Sequence, residues 1–262
     1  MWAQARAGQR TTAAWMTPRA DVHGGVHGGG GWLVVHALHD TAAAALAGAL
    51  QARALSVTTL MVCARWQLRV DSDGSRCELH LAGQRLQPAG VIHRCAPVAL
   101  HPAVPQADYK SAEWQALLQA WLHGLPCPVI NRPRCGSLDI ATRSAARWRQ
   151  SAALGGLLVW PLAPTDKPEW ADGGQPGLLV VGDACFVLAG AAPPPAAQAA
   201  AAIRAAALAG CDLLAWTGAP DAKQRWRVAG ATPTPDLRAF DAAAVSAVAR
   251  LLGHRSLAVP CA

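Results

Sequence analysis

Apolar and polar positions alternate along this chain in blocks that delimit most of its elements. Trp-Leu-Val-Val-His (32 to 36) is a continuous apolar run of the length of a buried strand. Asp40 or Thr41 can cap the helix that follows, on which Leu46 and Leu50 share a face, and Val57 to Cys63 supplies a second strand. The opening therefore reads β-α-β, the unit that builds parallel sheets through right-handed crossovers. Trp66, Leu68 and Val70 then alternate with Gln67 and Arg69, and Cys77, Leu79 and Leu81 with Glu78 and His80. With Asp73-Gly74 between them, these runs make a hairpin with one wet face. Val91-Ile92-His93 gives a further strand, and a proline-rich loop over 97 to 105 leads to Asp108, a cap for the next helix.

In that helix Trp114, Leu117, Leu118, Trp121, Leu122 and Leu125 recur at three- and four-residue spacing, one apolar face. Gly124 and Pro126 stop it, Pro128-Val129-Ile130 fits a short strand, and Asn131 sits just past that strand, where open α/β sheets hold ligands. A helix is expected from Asp139 to Ala153 with Arg143 and Arg147 one turn apart on the same face. Leu157 to Trp160 is strand-like. LLVVGDACFVL predicts a hairpin turning at Gly182-Asp183. An Ala-rich helix (196 to 209) stopped by Gly210, strands over Asp212 to Trp216 and Gln224 to Val228, and a helix from Asp241 to Leu252 complete the chain.

Composition narrows the function classes. The chain has 262 residues, 52% hydrophobic, enough to bury a sizeable core. Its formal charge of +7 is carried almost wholly by arginine, since Lys110, Lys167 and Lys223 are the only lysines. That balance favours acidic or phosphorylated partners, but no dense basic run with interleaved aromatics appears, which argues against nucleic acid. Eight cysteines show no C-x-x-C pair and sit mostly in apolar segments, as buried thiols in a reducing compartment do. No stretch has the form of a secretory signal, and the Ala-rich region from 187 to 209 is broken by Pro193-Pro194-Pro195 and Arg204, so no membrane span is expected and the cytoplasm is the expected location. Residues 1 to 31, ending in HGGVHGGGG, read as a flexible leader.

The order of these elements resembles the ATP-grasp superfamily, and within it the peptide- and amino-acid-ligating branch. The resemblance rests on the β-α-β start, the helix ending in Leu125-Pro126-Cys127-Pro128-Val129-Ile130-Asn131-Arg132-Pro133, the Gly155 to Pro161 strand and the late Asp212-Leu213-Leu214. It implies a pre-ATP-grasp-like parallel sheet domain at 32 to 135, followed by a reduced α+β ATP-grasp-like domain at 136 to 262. Asn131 matches the asparagine that closes the family's first-domain strand, Arg143 falls where a phosphate-contacting lysine is usual, and Asp212 matches a family acid. Where active members carry a glutamate, a spacer and an asparagine that hold magnesium, this chain has Gly230 and Thr232. The family's nucleotide lid would also have to fit in about seventeen residues between the strands at 157 to 160 and 178 to 181, too few for a subdomain.

The expectation is a degenerate member without the ligase chemistry: an accessory protein that binds a peptide, a protein partner or an anionic small molecule in a peptide-modification pathway and needs no cofactor. Two alternatives stand beside it. One is an active, compact ATP-dependent carboxylate-amine ligase using ATP and magnesium with Arg143, Asp212 and Asp236. The other is an unrelated α/β binding domain with its ligand near His36 and Asn131. Candidate residues for an anion or nucleotide are Asn131, Arg132, Arg143 and Arg147, because guanidinium forks suit phosphate and carboxylate; a solvated helix face explains the arginines equally well. Asp212 and Asp236 are weak metal candidates. His36 and His39 mark the ligand cleft, and a zinc site using them with Cys127 and Cys135 lacks the usual paired spacing.

Overall fold

A computed structural model describes residues 31–36, 40–61, 66–70, 77–81, 84–94, 106–133, 143–161 and 176–257. The leader up to Gly30, the Asp73-Gly74 turn, the proline-rich loop, His39, Arg134 and Cys135 lie outside the described residues. Strand β1 (Trp32–His36) passes through Asp40 into α1 (Thr41–Gln51) and β2 (Val57–Met61). The Asp40 carboxylate accepts from the Ala42 N–H at 3.1 Å, the cap expected of it. Strands β3 (Trp66–Val70) and β4 (Cys77–Leu81) pair antiparallel as the alternation predicts, with a short β5 (Gln84–Arg85) added beside β4. Then come β6 (Gly90–Arg94), α2 (Ala107–Gly124) and β7 (Val129–Ile130). Asp108 does not cap α2; Gln106 occupies that position with φ 58°, and Asp108 sits in the first turn, where its charge still suits the helix dipole.

The parallel sheet has the order β2-β1-β6-β7, so β1 lies inside it, with Val35 opposite His93 and Ile92 opposite Ile130. Helix α3 (Ala145–Gly155) starts after Ser144, whose side chain caps it; Asp139, its expected start, lies outside the described residues. Residues 157 to 160 do not form a full strand: Val159 makes a single bridge to Val228. The hairpin β8 (Pro176–Val181) and β9 (Ala184–Val187) turns at Gly182, φ 59°, as expected. Helix α4 (Ala196–Ala209) ends at Gly210, φ 70°. Strands β10 (Leu213–Pro220) and β11 (Trp226–Thr232), a short 3-10 turn (Leu237–Ala239) and α5 (Ala242–Leu257) follow, giving an antiparallel sheet of order β11-β10-β8-β9.

Three clusters of buried side chains hold these layers. One face of the parallel sheet (Leu33, Val35, Val91, Val129) packs on α2 and on Leu79 of β4. One face of the antiparallel sheet (Leu178, Val180, Leu214, Trp216) packs on α3 and α4. The remaining faces of both sheets close on each other through α1 and α5, so Val34, Ile92 and Ile130 share a core with Leu179, Leu213, Ala215 and Val248. Each fully buried leucine there contributes about 1.5–3 kcal/mol. Residues from both sides of position 135 enter this cluster. No helix among the described residues is long and apolar enough to cross a membrane.

Candidate functional site at the strand ends

The carboxyl ends of β1, β6 and β7 deliver His36, Arg94 and Asn131 to one edge of the parallel sheet, the place where open α/β sheets bind ligands. Two of these side chains, Arg94 and Asn131, tie the two halves together there. Asn131, 2% exposed, donates through Nδ2 to the carbonyls of Leu213 (2.7 Å) and Pro233 (2.9 Å). Its Oδ1 accepts from the backbone N–H groups of Asp212 (3.0 Å) and Leu213 (3.1 Å). An amide side chain has two donors and one carbonyl oxygen with two lone pairs, and all are used. Its φ of 57° is left-handed, a conformation asparagine tolerates better than most residues. Asn131 therefore has nothing left for a nucleotide or an anion.

Arg94, missed as a site residue from the sequence, completes the join. Its guanidinium grips Asp40 in a two-pronged ion pair (Nε to Oδ2 2.8 Å, Nη2 to Oδ1 3.0 Å) and donates to the carbonyls of Pro235 (2.9 Å) and Thr234 (3.3 Å). The only hint in the sequence is a charged residue closing the apolar run Val91-Ile92-His93. His93, on the opposite face of β6, is buried and bonds the Asn131 backbone; burial pushes its pKa down to about 4, against that bond's upward pull. Its Nε2 has no partner among the described residues. His36 lies half-buried at the end of β1.

The other predicted cations do not converge. Nη1 of Arg132 donates to the carbonyls of Leu122 (2.9 Å), His123 (2.8 Å) and Leu125 (3.0 Å), closing the end of α2, where carbonyls lack helical partners. Arg143 precedes the α3 cap and lies over the Trp148 ring, 5.2 Å from its centroid. Arg147 is exposed in the first turn. Because Arg143 is not helical, the shared face expected of these two arginines is not formed.

Each acid of the second half proposed as a metal ligand is engaged by an arginine. Asp212 accepts from Nη2 of Arg255 on α5 at 2.7 Å. Asp236 receives Arg238 at 2.6 Å and caps the 3-10 turn, and Arg238 holds its carboxyl below the usual carboxylate range. Asp221, a further acid of this half, accepts from Arg227 (2.8 Å), Arg225 (3.0 Å) and two backbone N–H groups, and the Arg227 bond is the chief cause of its depressed pKa. At the two positions where the resemblance would place ligands, Gly230 offers no donor and Thr232 spends its hydroxyl on Thr234. This donor set does not fit a magnesium ion, which takes one or two carboxylates beside phosphate oxygens and waters. No group of three or more His, Cys, Asp or Glu among the described residues is arranged to hold a metal.

Solved structures share this fold. PsnB, an ATP-grasp ligase complexed with a minimal precursor, aligns with TM-score 0.64 at 16% identity, over 87% of this chain and 99% of its own. The fold is ATP-grasp-like. The macrocyclase MdnC from Microcystis aeruginosa MRC, bound with precursor peptide MdnA, aligns at 0.60 and 12% identity over 85% and 99% of the two chains. A Chryseobacterium gregarium RiPP-associated ATP-grasp ligase, in complex with ADP and a leader and core peptide, aligns at 0.58 and 8% over 86% and 97%. No family model and no curated protein matches the sequence. A parallel sheet and a separate antiparallel sheet agree with the α/β fold class that the resemblance implied.

Proposed function

We propose that this ATP-grasp-like protein binds a peptide and works as an accessory in a peptide-modification pathway without catalysing phosphoryl transfer. The pairing of Asp212, Asp221 and Asp236 with arginines of the same chain carries the reading. A magnesium nucleotide needs carboxylates that converge and remain available. Here glycine stands where the strongest ligand belongs, and the acids that remain point to separate internal cations. The fourteen residues between Pro161 and Pro176 leave no room for a lid of sheet and helices, which supports the same conclusion. The peptide partner is inferred from the relatives in shape, several of which were captured with precursor peptides.

Calorimetric titration of the full chain with ATP and with ADP, each with and without magnesium, tests this directly. No heat of binding is expected at nucleotide concentrations of about 1 mM, the loose end of ordinary affinities. Micromolar affinity that vanishes on adding chelator would establish the compact ligase instead, and Asp212→Asn would then be expected to abolish ADP release.

A further inference from the structure

The antiparallel sheet carries a concavity distinct from the paired acids. After β9 the chain runs through residues 188 to 195 directly into α4, and Pro193, Pro194 and Pro195 form one wall of a groove of about 610 Å³. Leu178, Val187 and Leu188 line its interior, with Ala219 and Pro220 of β10 and the ring of Trp226 completing it. Backbone seats that indole. A Cβ at Gly177 would lie 2.5 Å from its Cε2, and one at Gly218 2.9 Å from its Cζ2, so Trp226 rests against two glycines that no other residue can replace without moving it.

The chemistry of the walls selects the occupant. Among the described residues none of the lining side chains is ionisable, and Gln198 and Trp226 alone carry side-chain hydrogen-bonding groups. Five of the lining residues are prolines, which have no N–H to pair with an incoming strand. The volume lies within the about 300–1,000 Å³ usual for binding sites. On a chain of charge +7, a concavity without an ion of either sign disfavours a charged ligand, which would lose its hydration with no counter-ion in return.

We infer that this groove seats uncharged apolar side chains of an extended peptide segment, an aromatic one against Trp226, with Gln198 bonding a main-chain amide. The peptide part rests on the function proposed above; the selection for apolar and against charged groups does not.

The test titrates isotope-labelled full chain with N-acetyl-tryptophanamide, N-acetyl-leucinamide and N-acetyl-aspartic acid amide, followed by NMR. Saturable shifts are expected for the first two, centred on the Trp226 indole and the Gln198 amide, and none for the acid. Ala192→Trp and Ala191→Trp each place a ring in the groove from an exposed position. Either should weaken the tryptophan probe about tenfold, the equivalent of excluding one apolar side chain. Equal binding by wild type and both folded variants, equal binding of the acidic probe, or no saturable shift from any probe would overturn the assignment. If the amides bind and magnesium-ATP binds as well, the accessory reading falls and the groove stands. Silence from the amides without nucleotide binding removes the groove alone.

Discussion

Asn131 makes all the hydrogen bonds its amide allows, and makes them to segments more than eighty residues away in the chain. Asn131→Leu removes the partner of four backbone groups, in three buried bonds and one part-buried bond, so it should lower unfolding free energy by at least about 3 kcal/mol, read from the urea midpoint at constant slope. A loss under about 1 kcal/mol would show that water replaces the amide at little cost. Periodicity and strand length placed Asn131 correctly past β7, but they could not show what it meets. Local sequence carries no record of a partner so distant, and a polar residue at a strand end looks the same whether it faces a ligand or another part of the chain. Arg94 and Arg255 were hidden for the same reason. Gly230 was readable without coordinates, since the lack of a side chain is a property of the residue alone.

Elements with a strong apolar period emerged within a few residues of their expected limits: α1, α4 and the β8-β9 hairpin are examples. The exceptions are places where tertiary contacts decide. Residues 157 to 160 look like a strand but are fastened by one bridge, with Arg227 donating to the Val159 carbonyl at 3.1 Å. Two glycines in helices separate propensity from packing. At Gly155 an added Cβ would lie 2.6 Å from Ala205 Cα, where α3 meets the alanine face of α4, whereas at Gly48 on α1 nothing stands within 4 Å. Gly48→Ala should therefore stabilise by up to about 1 kcal/mol through helix propensity. Gly155→Ala should destabilise by about 1–3 kcal/mol by overpacking. Thermal melts of both variants check the signs, and a stabilised Gly155→Ala would show that the helices separate freely.

Acid stability gathers contributions from across the molecule. Burial holds the His93 pKa near 4 in the folded state against 6.5 when free, so the unfolded chain binds more protons between those values. The associated stability is complete above about 6.5 and drains as pH falls toward 4, amounting to about 3 kcal/mol. Asp221 and Asp236 are depressed, so their contribution is intact above 3.8 and is lost only below it. Urea midpoints measured from pH 7.5 to 4.5 should fall for the wild type and flatten in His93→Leu; parallel curves would assign the decline elsewhere. The Asn131 and Arg94 contacts have a mechanical corollary. With the strand ends of one sheet bolted to the segments flanking the other, and a common core beneath, the described residues of the two sheets are held against swinging as separate jaws. Under the function proposed above, a peptide would meet a preformed surface, so its recognition would cost little reorganisation and would not be relayed by jaw-like closure.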